Sequence, residues 1–185
     1  MVSTAEFRNG LVLNYEGNLY FIVEFQHVKP GKGVAFVRTR LKNVRTGAVI
    51  TPTFRSGDKV EDIRLERREM QYLYASDGFL HFMDTRSYEQ IQLTEDAVRN
   101  AKPYLKENDT VEILMTDAGA LGVEVPTFAY LAVTHTEPGI RGDTATGATK
   151  PATLETGLIV QVPLFINIGE KLKIDTRTGT YVERA

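Results

Sequence analysis

Short runs of β-branched and aromatic residues, interrupted by glycine, asparagine, aspartate or proline, recur along all 185 residues. Within many of them apolar and polar positions alternate, the period of a strand with one buried face. In the first third the pattern predicts strands over 11–15, 19–28, 34–44 and 48–54, and a total of five or so short strands in about 60 residues suits a small SH3-like barrel. Glu16-Gly17-Asn18, the tip at 30–33 and Arg45-Thr46-Gly47 supply the turns. In the middle third, strands at 70–74 and 79–84 flank Ala75-Ser76-Asp77-Gly78, a hairpin signal, and 88–93 extends the sheet. Thr94-Glu95-Asp96 reads as an N-cap with acidic first-turn residues and predicts a helix of about two turns reaching Ala101. Strands return at 111–115 and 121–125, then at 129–136, 157–168, 171–176 and 180–184. The predicted fold class is all-β: three small barrels, an SH3-like domain over 1–64 and OB-like domains over 65–127 and 128–185.

Charge changes this picture most in the first domain. Residues 25–57 hold seven Lys or Arg and no Asp or Glu. At the centre lies Lys29-Pro30-Gly31-Lys32-Gly33, where a proline fixes the chain direction and two glycines flank one lysine. In the strand that follows, Arg38, Arg40 and Lys42 share one face, and Val37, Thr39 and Leu41 the other. A hairpin with a cationic stripe and an uncrowded lysine at its tip suits a polyanion. The net charge of −2 hides a strong polarity: residues 1–64 carry +4, residues 65–127 carry −6, and residues 128–185 carry none. One basic face with an acidic remainder fits contact with a phosphate backbone at one end only.

The rest of the composition excludes more than it suggests. With no cysteine there are no disulfides, thiolate metal sites or cysteine nucleophiles. Met1 to Gly10 has no basic region leading into an apolar stretch, so no signal peptide is read, and no run approaches a membrane span. The expected location is cytoplasmic. Gly142 and Gly147 have the four-residue gap of a phosphate loop, but Ala148 follows and Lys150 comes too late before Pro151, which rejects an NTPase. His27, His81 and His135 are isolated from one another, so no metal site is expected, and no serine nucleophile elbow is present. Glu66, Glu69, Asp77 and Asp84 read as a solvated acidic face. Tyr72, Tyr74, Phe79, Phe82 and Tyr88 are either core or stacking platforms, and their alternation with polar residues favours core. No catalytic, cofactor or metal constellation emerges. By itself the pattern leaves a general single-stranded RNA-binding protein with OB folds as the alternative reading.

Several motifs, in order along essentially the whole chain, resemble the bacterial translation elongation factor P family. They are Lys29-Pro30-Gly31-Lys32-Gly33 with Ala35-Phe36; Gly142-Asp143-Thr144-Ala145; Lys150-Pro151-Ala152-Thr153-Leu154-Glu155-Thr156-Gly157; Val160-Gln161-Val162-Pro163-Leu164-Phe165; and Asp175-Thr176-Arg177-Thr178-Gly179. The resemblance implies an SH3-like (KOW-like) domain followed by two OB folds, and a non-enzymatic, monomeric ligand of both ribosomal subunits that relieves stalling at consecutive prolines. It places the first domain, with the tip Lys29, Pro30, Gly31, Lys32 and Gly33, against peptidyl-tRNA, especially prolyl-tRNA, and the same-face Arg38, Arg40 and Lys42 are expected from their alternation to contact its phosphates. Lys32 matches a tip lysine that many members extend through a modifying enzyme. Gly142, Asp143, Thr144, Ala145, Thr146, Gly147 and Lys150, with Tyr181 and Arg184, match residues facing the small subunit and mRNA. Two departures stand out. Ala148 replaces a common glycine, implying a stiffer loop, and Val125-Pro126 replaces a frequent Pro-Pro, implying a freer hinge.

Overall fold

The computed structural model describes residues 1–139 and 147–185 of the chain. Among these, the regular structure is strand apart from two 3-10 turns, Thr4–Glu6 and Lys102–Tyr104. The strands fall into three sheets.

The first sheet contains β1 (Val2–Ser3), β2 (Val12–Tyr15), β3 (Asn18–Val28), β4 (Phe36–Asn43), β5 (Val49–Ile50), β6 (Thr53–Arg55) and β7 (Lys59–Ile63). Its order is β1-β7-β2-β3-β4-β5, with β6 also on β4. Seven strands thus stand where about five were expected. β7 is nearly invisible in the pattern because Lys59, Glu61 and Asp62 dominate it. Its place comes from long-range pairing, Val12 with Ile63 and Val2 with Val60. The expected strand at 48–54 breaks in two at Pro52, which has no N–H for a ladder. The Pro52 carbonyl instead accepts from Thr39 twice, backbone N–H at 3.1 Å and Oγ1–H at 2.8 Å. Inside, Phe7, Leu13, Ile22, Val37, Leu41 and Phe54 form the core. Burying each such side chain contributes about 1.5–3 kcal/mol. Phe54 meets Phe7 and Tyr15 edge-on, with centroids 5.6 and 5.5 Å apart.

The second sheet holds β8 (Glu66–Ser76), β9 (Phe79–Asp84), β10 (Gln90–Thr94), β11 (Thr110–Thr116) and β12 (Gly119–Glu124), in the order β10-β9-β8-β11-β12. Asp77 and Gly78, at φ +51° and +80°, close the β8–β9 hairpin as a two-residue turn with both centres left-handed. Tyr88 does not open β10 as expected. It sits at φ +61° in a turn held by Asp84, whose Oδ1 accepts from the backbone N–H of Arg86 and Ser87. The expected helix after Thr94 does not form. The cap is present, Ala97 N–H donating to Thr94 Oγ1 at 3.3 Å, but the chain then runs through separate turns into Lys102–Tyr104. Pro103 accounts for part of this: it has no N–H to donate back to the preceding turn, which leaves too few residues after Thr94 to propagate a helix.

The third sheet comprises β13 (Phe128–Thr136), β14 (Thr149–Leu154), β15 (Ile159–Pro163), β16 (Lys171–Asp175) and β17 (Thr180–Arg184), ordered β15-β14-β13-β16-β17. The strand expected at 157–168 is confined to β15, and the remainder is turn. Leu131, Val133, Leu154, Val162, Leu172 and Ile174 lead its core.

The chain groups into two compact units, Met1–Arg68 with Ile113–Gly122, and Glu69–Glu112 with Val123–Ala185. Within the second, the turn at Lys102–Tyr104 packs on the third sheet. Tyr104 lies against that core, and Thr156 Oγ1–H donates to Pro103 O at 2.6 Å. Residues 125–127 are tied down rather than free, because Thr176 Oγ1–H donates to Pro126 O at 2.7 Å and Thr176 N–H to Thr127 O at 2.9 Å.

Candidate nucleic-acid interface

β3 and β4 make the longest hairpin of the first sheet. Their ladder runs out to Val28 opposite Phe36, and the loop between them carries the five residues from Lys29 to Gly33. All five are exposed. Gly33 holds φ +117°, a conformation that L side chains rarely adopt, and a Cβ on Gly31 would meet nothing within 4 Å. Lys32 is therefore an exposed residue between two glycines at the end of a two-stranded arm.

Along β4 the alternation is complete. Val37, Thr39 and Leu41 are 0 %, 2 % and 0 % exposed, while Arg38, Arg40 and Lys42 are exposed between them. The three cations share one face, and Arg38 lies 5.8 Å from the Phe36 ring centroid. Pairing adds a fourth cation that the sequence pattern did not single out. Arg55 stands opposite Phe36, and so on the same face. Its only sequence signal was its place in the acid-free stretch.

The face is not free of acid, as the sequence suggested. Glu24 lies just before the acid-free stretch, and a β-bulge brings it opposite Arg40. Ile22 pairs with Leu41 and Glu24 with Arg40, so Val23 is the extra residue. An open hollow of about 190 Å³ lies here, lined by Glu24, Phe25, Gln26, Arg38, Thr39, Arg40 and Thr51.

The third sheet treats its candidate residues differently. Gly142, Asp143, Thr144, Ala145 and Thr146 lie outside the described residues. Gly147, just beyond them, has φ +91°. Lys150 is only 6 % exposed, and its Nζ donates to Glu137 O at 2.7 Å. That inward direction follows from β14 alternation, which buries Lys150, Ala152 and Leu154 together. Tyr181 packs against the core. Arg184 is exposed but paired, Nη1 to Glu170 Oε1 at 3.0 Å. The backbone N–H of Asn167 and then Arg184 hold the Glu170 carboxyl below its usual range. The Asp175 carboxyl is pushed down to about 2 by Arg177, which reaches it through its side chain at 2.6 and 3.0 Å and its backbone N–H at 2.9 Å.

Of the aromatic residues weighed as platforms, Tyr72 and Phe82 are core and Phe79 is half-buried. Tyr74 remains open, stacked on His81 at 4.5 Å, and Tyr88 is 70 % exposed on its turn. Ser76 Oγ and His81 Nε2 lie 3.1 Å apart. Among the described residues no group of three or more His, Cys, Asp or Glu is placed to hold a metal ion, and no helix is long and apolar enough to cross a membrane.

Family comparisons cover nearly all of this framework. Residues 3–60 match the elongation factor P (EF-P) KOW-like domain, 65–123 the elongation factor P (EF-P) OB domain, and 130–184 the elongation factor P C-terminal domain. Elongation factor P of Desulfitobacterium hafniense (strain DSM 10664 / DCB-2) is 56 % identical over 185 residues, spanning the full length of both chains. That of Pelotomaculum thermopropionicum is 54 % identical over 184 residues, again across both chains. Among solved structures, a eukaryotic translation initiation factor 5A from Methanococcus jannaschii superimposes with a TM-score of 0.53 at 23 % identity, over 68 % of this chain and 90 % of that one. A translation initiation factor eif-5a family protein from Naegleria fowleri gives 0.51 at 15 % identity, over 67 % and 94 %. These two likenesses concern the fold, which is all-β with a KOW-like first domain followed by OB domains. With three family domains in sequence and relatives more than half identical from end to end, the chain belongs to the elongation factor P family.

Proposed function

We propose that this protein is a cytoplasmic, non-enzymatic factor that binds the ribosome beside peptidyl-tRNA and speeds peptide-bond formation at consecutive prolines. The observation that carries the reading is the exposed Lys32, set between two glycines at the end of a cationic hairpin. In this reading the domains are 1–64, 65–127 and 128–185. The first lies along the tRNA acceptor arm, and the third faces the small subunit and mRNA. Proline reacts slowly because its ring fixes φ and restricts approach of its nitrogen. A factor that holds the donor end in a reactive orientation lowers the entropic part of the barrier, and such ordering is worth up to about 7–11 kcal/mol. Arg38, Arg40 and Lys42 grip backbone phosphates, and Lys32 reaches on toward the tRNA terminus. Chemistry stays with the ribosome. A modifying enzyme that lengthens Lys32 would extend the same reach.

Lys32→Ala tests it. The melting temperature is expected to stay unchanged, because the side chain packs against nothing. Synthesis through a proline run in a reconstituted system is expected to slow by roughly tenfold or more, as removal of a charge-assisted hydrogen bond does. Full activity in the variant would instead point to a general RNA-binding protein that tolerates loss of the tip.

A further inference from the structure

A surface that only grips phosphate has no use for a carboxylate, yet the β3 bulge delivers one. Were β3 regular, with Val23 paired to Arg40, Glu24 would stand opposite the buried Thr39. With the bulge, Glu24 faces outward beside Arg40, the central cation of the stripe. Among the described residues no ion pair within 4.0 Å joins Glu24 to Arg40. Glu24 lines the hollow with Gln26, Arg38 and Thr51.

A carboxylate accepts hydrogen bonds and donates none, so phosphate cannot be its partner. Along an RNA strand the backbone donor is the ribose 2′-hydroxyl, which lies between successive phosphates and which DNA lacks. Cations two residues apart on a strand stand roughly 6.8 Å from one another, and the paired strand runs about 4.8 Å to the side. An acceptor opposite the middle cation therefore stands about 4.8 Å to one side of the line of held phosphates, within reach of the sugar joined to the phosphate at Arg40. We propose that Glu24 reads a ribose 2′-hydroxyl of the strand whose phosphates Arg38, Arg40 and Lys42 hold. This rests on the cationic face binding RNA as proposed above, and it adds to bulk attraction a preference for RNA at one sugar.

The experiment measures equilibrium binding of the full chain to an acceptor-stem RNA minihelix and to copies carrying one 2′-deoxyribose at successive positions of the acceptor strand. Single replacements keep the helix in A form, and they keep the base amino groups from which a carboxylate could also accept. One or two positions are expected to weaken wild-type binding by about tenfold, the effect of one hydrogen bond to a charged group. Glu24→Ala is expected to bind all copies alike. Equal sensitivity in Glu24→Ala, or no sensitive position in wild type, overturns the inference. A uniform rise in affinity for every copy also overturns it and makes Glu24 a purely repulsive charge. Arg38→Gln is measured alongside and is expected to weaken every copy by one common factor. If it does so while Glu24→Ala fails, the cationic face stands without the sugar contact. Absence of any minihelix binding by wild type removes both. Glu24 is exposed, so an unchanged melting curve is expected to certify that Glu24→Ala is folded.

Discussion

At the scale of single residues, a charge of one type does three different jobs here. Lys32 is solvent-facing and unencumbered, Lys150 is sealed inside by a 2.7 Å bond to a carbonyl, and Lys173 spans Glu183 at 2.8 Å and the Phe128 ring at 4.5 Å. Asp175 shows what a close ion pair does to titration. Its carboxyl falls from 3.8 to about 2 because Arg177 favours the ionised form, by side chain and by backbone. A depressed folded-state value adds stability that is complete above the ordinary 3.8 and fades as pH falls toward 2. Asp175→Asn is thus expected to melt below wild type at neutral pH, with the gap closing as pH falls from about 5 to about 2. A gap that stays constant across that range would assign the loss to turn geometry rather than to the charge.

At the scale of elements, the β3–β4 hairpin converts sequence alternation into a one-sided cationic surface. Neutralising Arg38, Arg40 and Lys42 together is expected to weaken tRNA binding and to flatten its log–log salt dependence by roughly 0.7–0.9 for each phosphate no longer neutralised. Because all three point away from a core in which Val37 and Leu41 are fully buried, the melting temperature should hold. An unchanged salt slope would reduce the stripe to an ordinary solvated face. The alternation itself was legible, since strict period two between apolar and cationic residues has one strand solution. Arg55 and Glu24 were not, because each reaches the face through pairing with a distant strand. In Glu24's case one bulge residue reverses the parity of everything before it on β3.

At the scale of the whole molecule, residues 1–64 carry +4 and residues 65–127 carry −6, which in the proposed reading lets the basic end meet a polyanion without competition from the acidic portion. Residues 128–185 are neutral overall, and residues 142–147 are Gly, Asp, Thr and Ala rather than cations, which in the proposed reading suits positional recognition more than bulk affinity. Replacing 142–147 with serine-rich chain of equal length is expected to leave binding to isolated tRNA intact and to impair proline-run synthesis on programmed ribosomes. Filter binding and reconstituted synthesis on the same variant decide it. Survival of both activities would make the loop a connector, and loss of tRNA binding in a folded variant would reverse the roles given to the two ends.

The sequence by itself determined the all-β class, the interleaving of Arg38, Arg40 and Lys42 with core residues, and the exposed tip at Lys32. These rest on local rules: strand period, glycine freedom and proline geometry. Family membership was also legible, because its motifs are contiguous and keep their order. Only the tertiary structure decided the rest. β7 is a charged segment whose strand state comes from the two strands beside it, and Pro103 ended as 3-10 turn what the Thr94 cap began as helix. Lys150 turned inward because alternation on β14 outweighs the preference of a lone charge for water once a carbonyl is there to receive it. Glu24 joined the cationic face through the β3 bulge. In each case the deciding partner lies elsewhere in the chain, and local pattern carries no record of it.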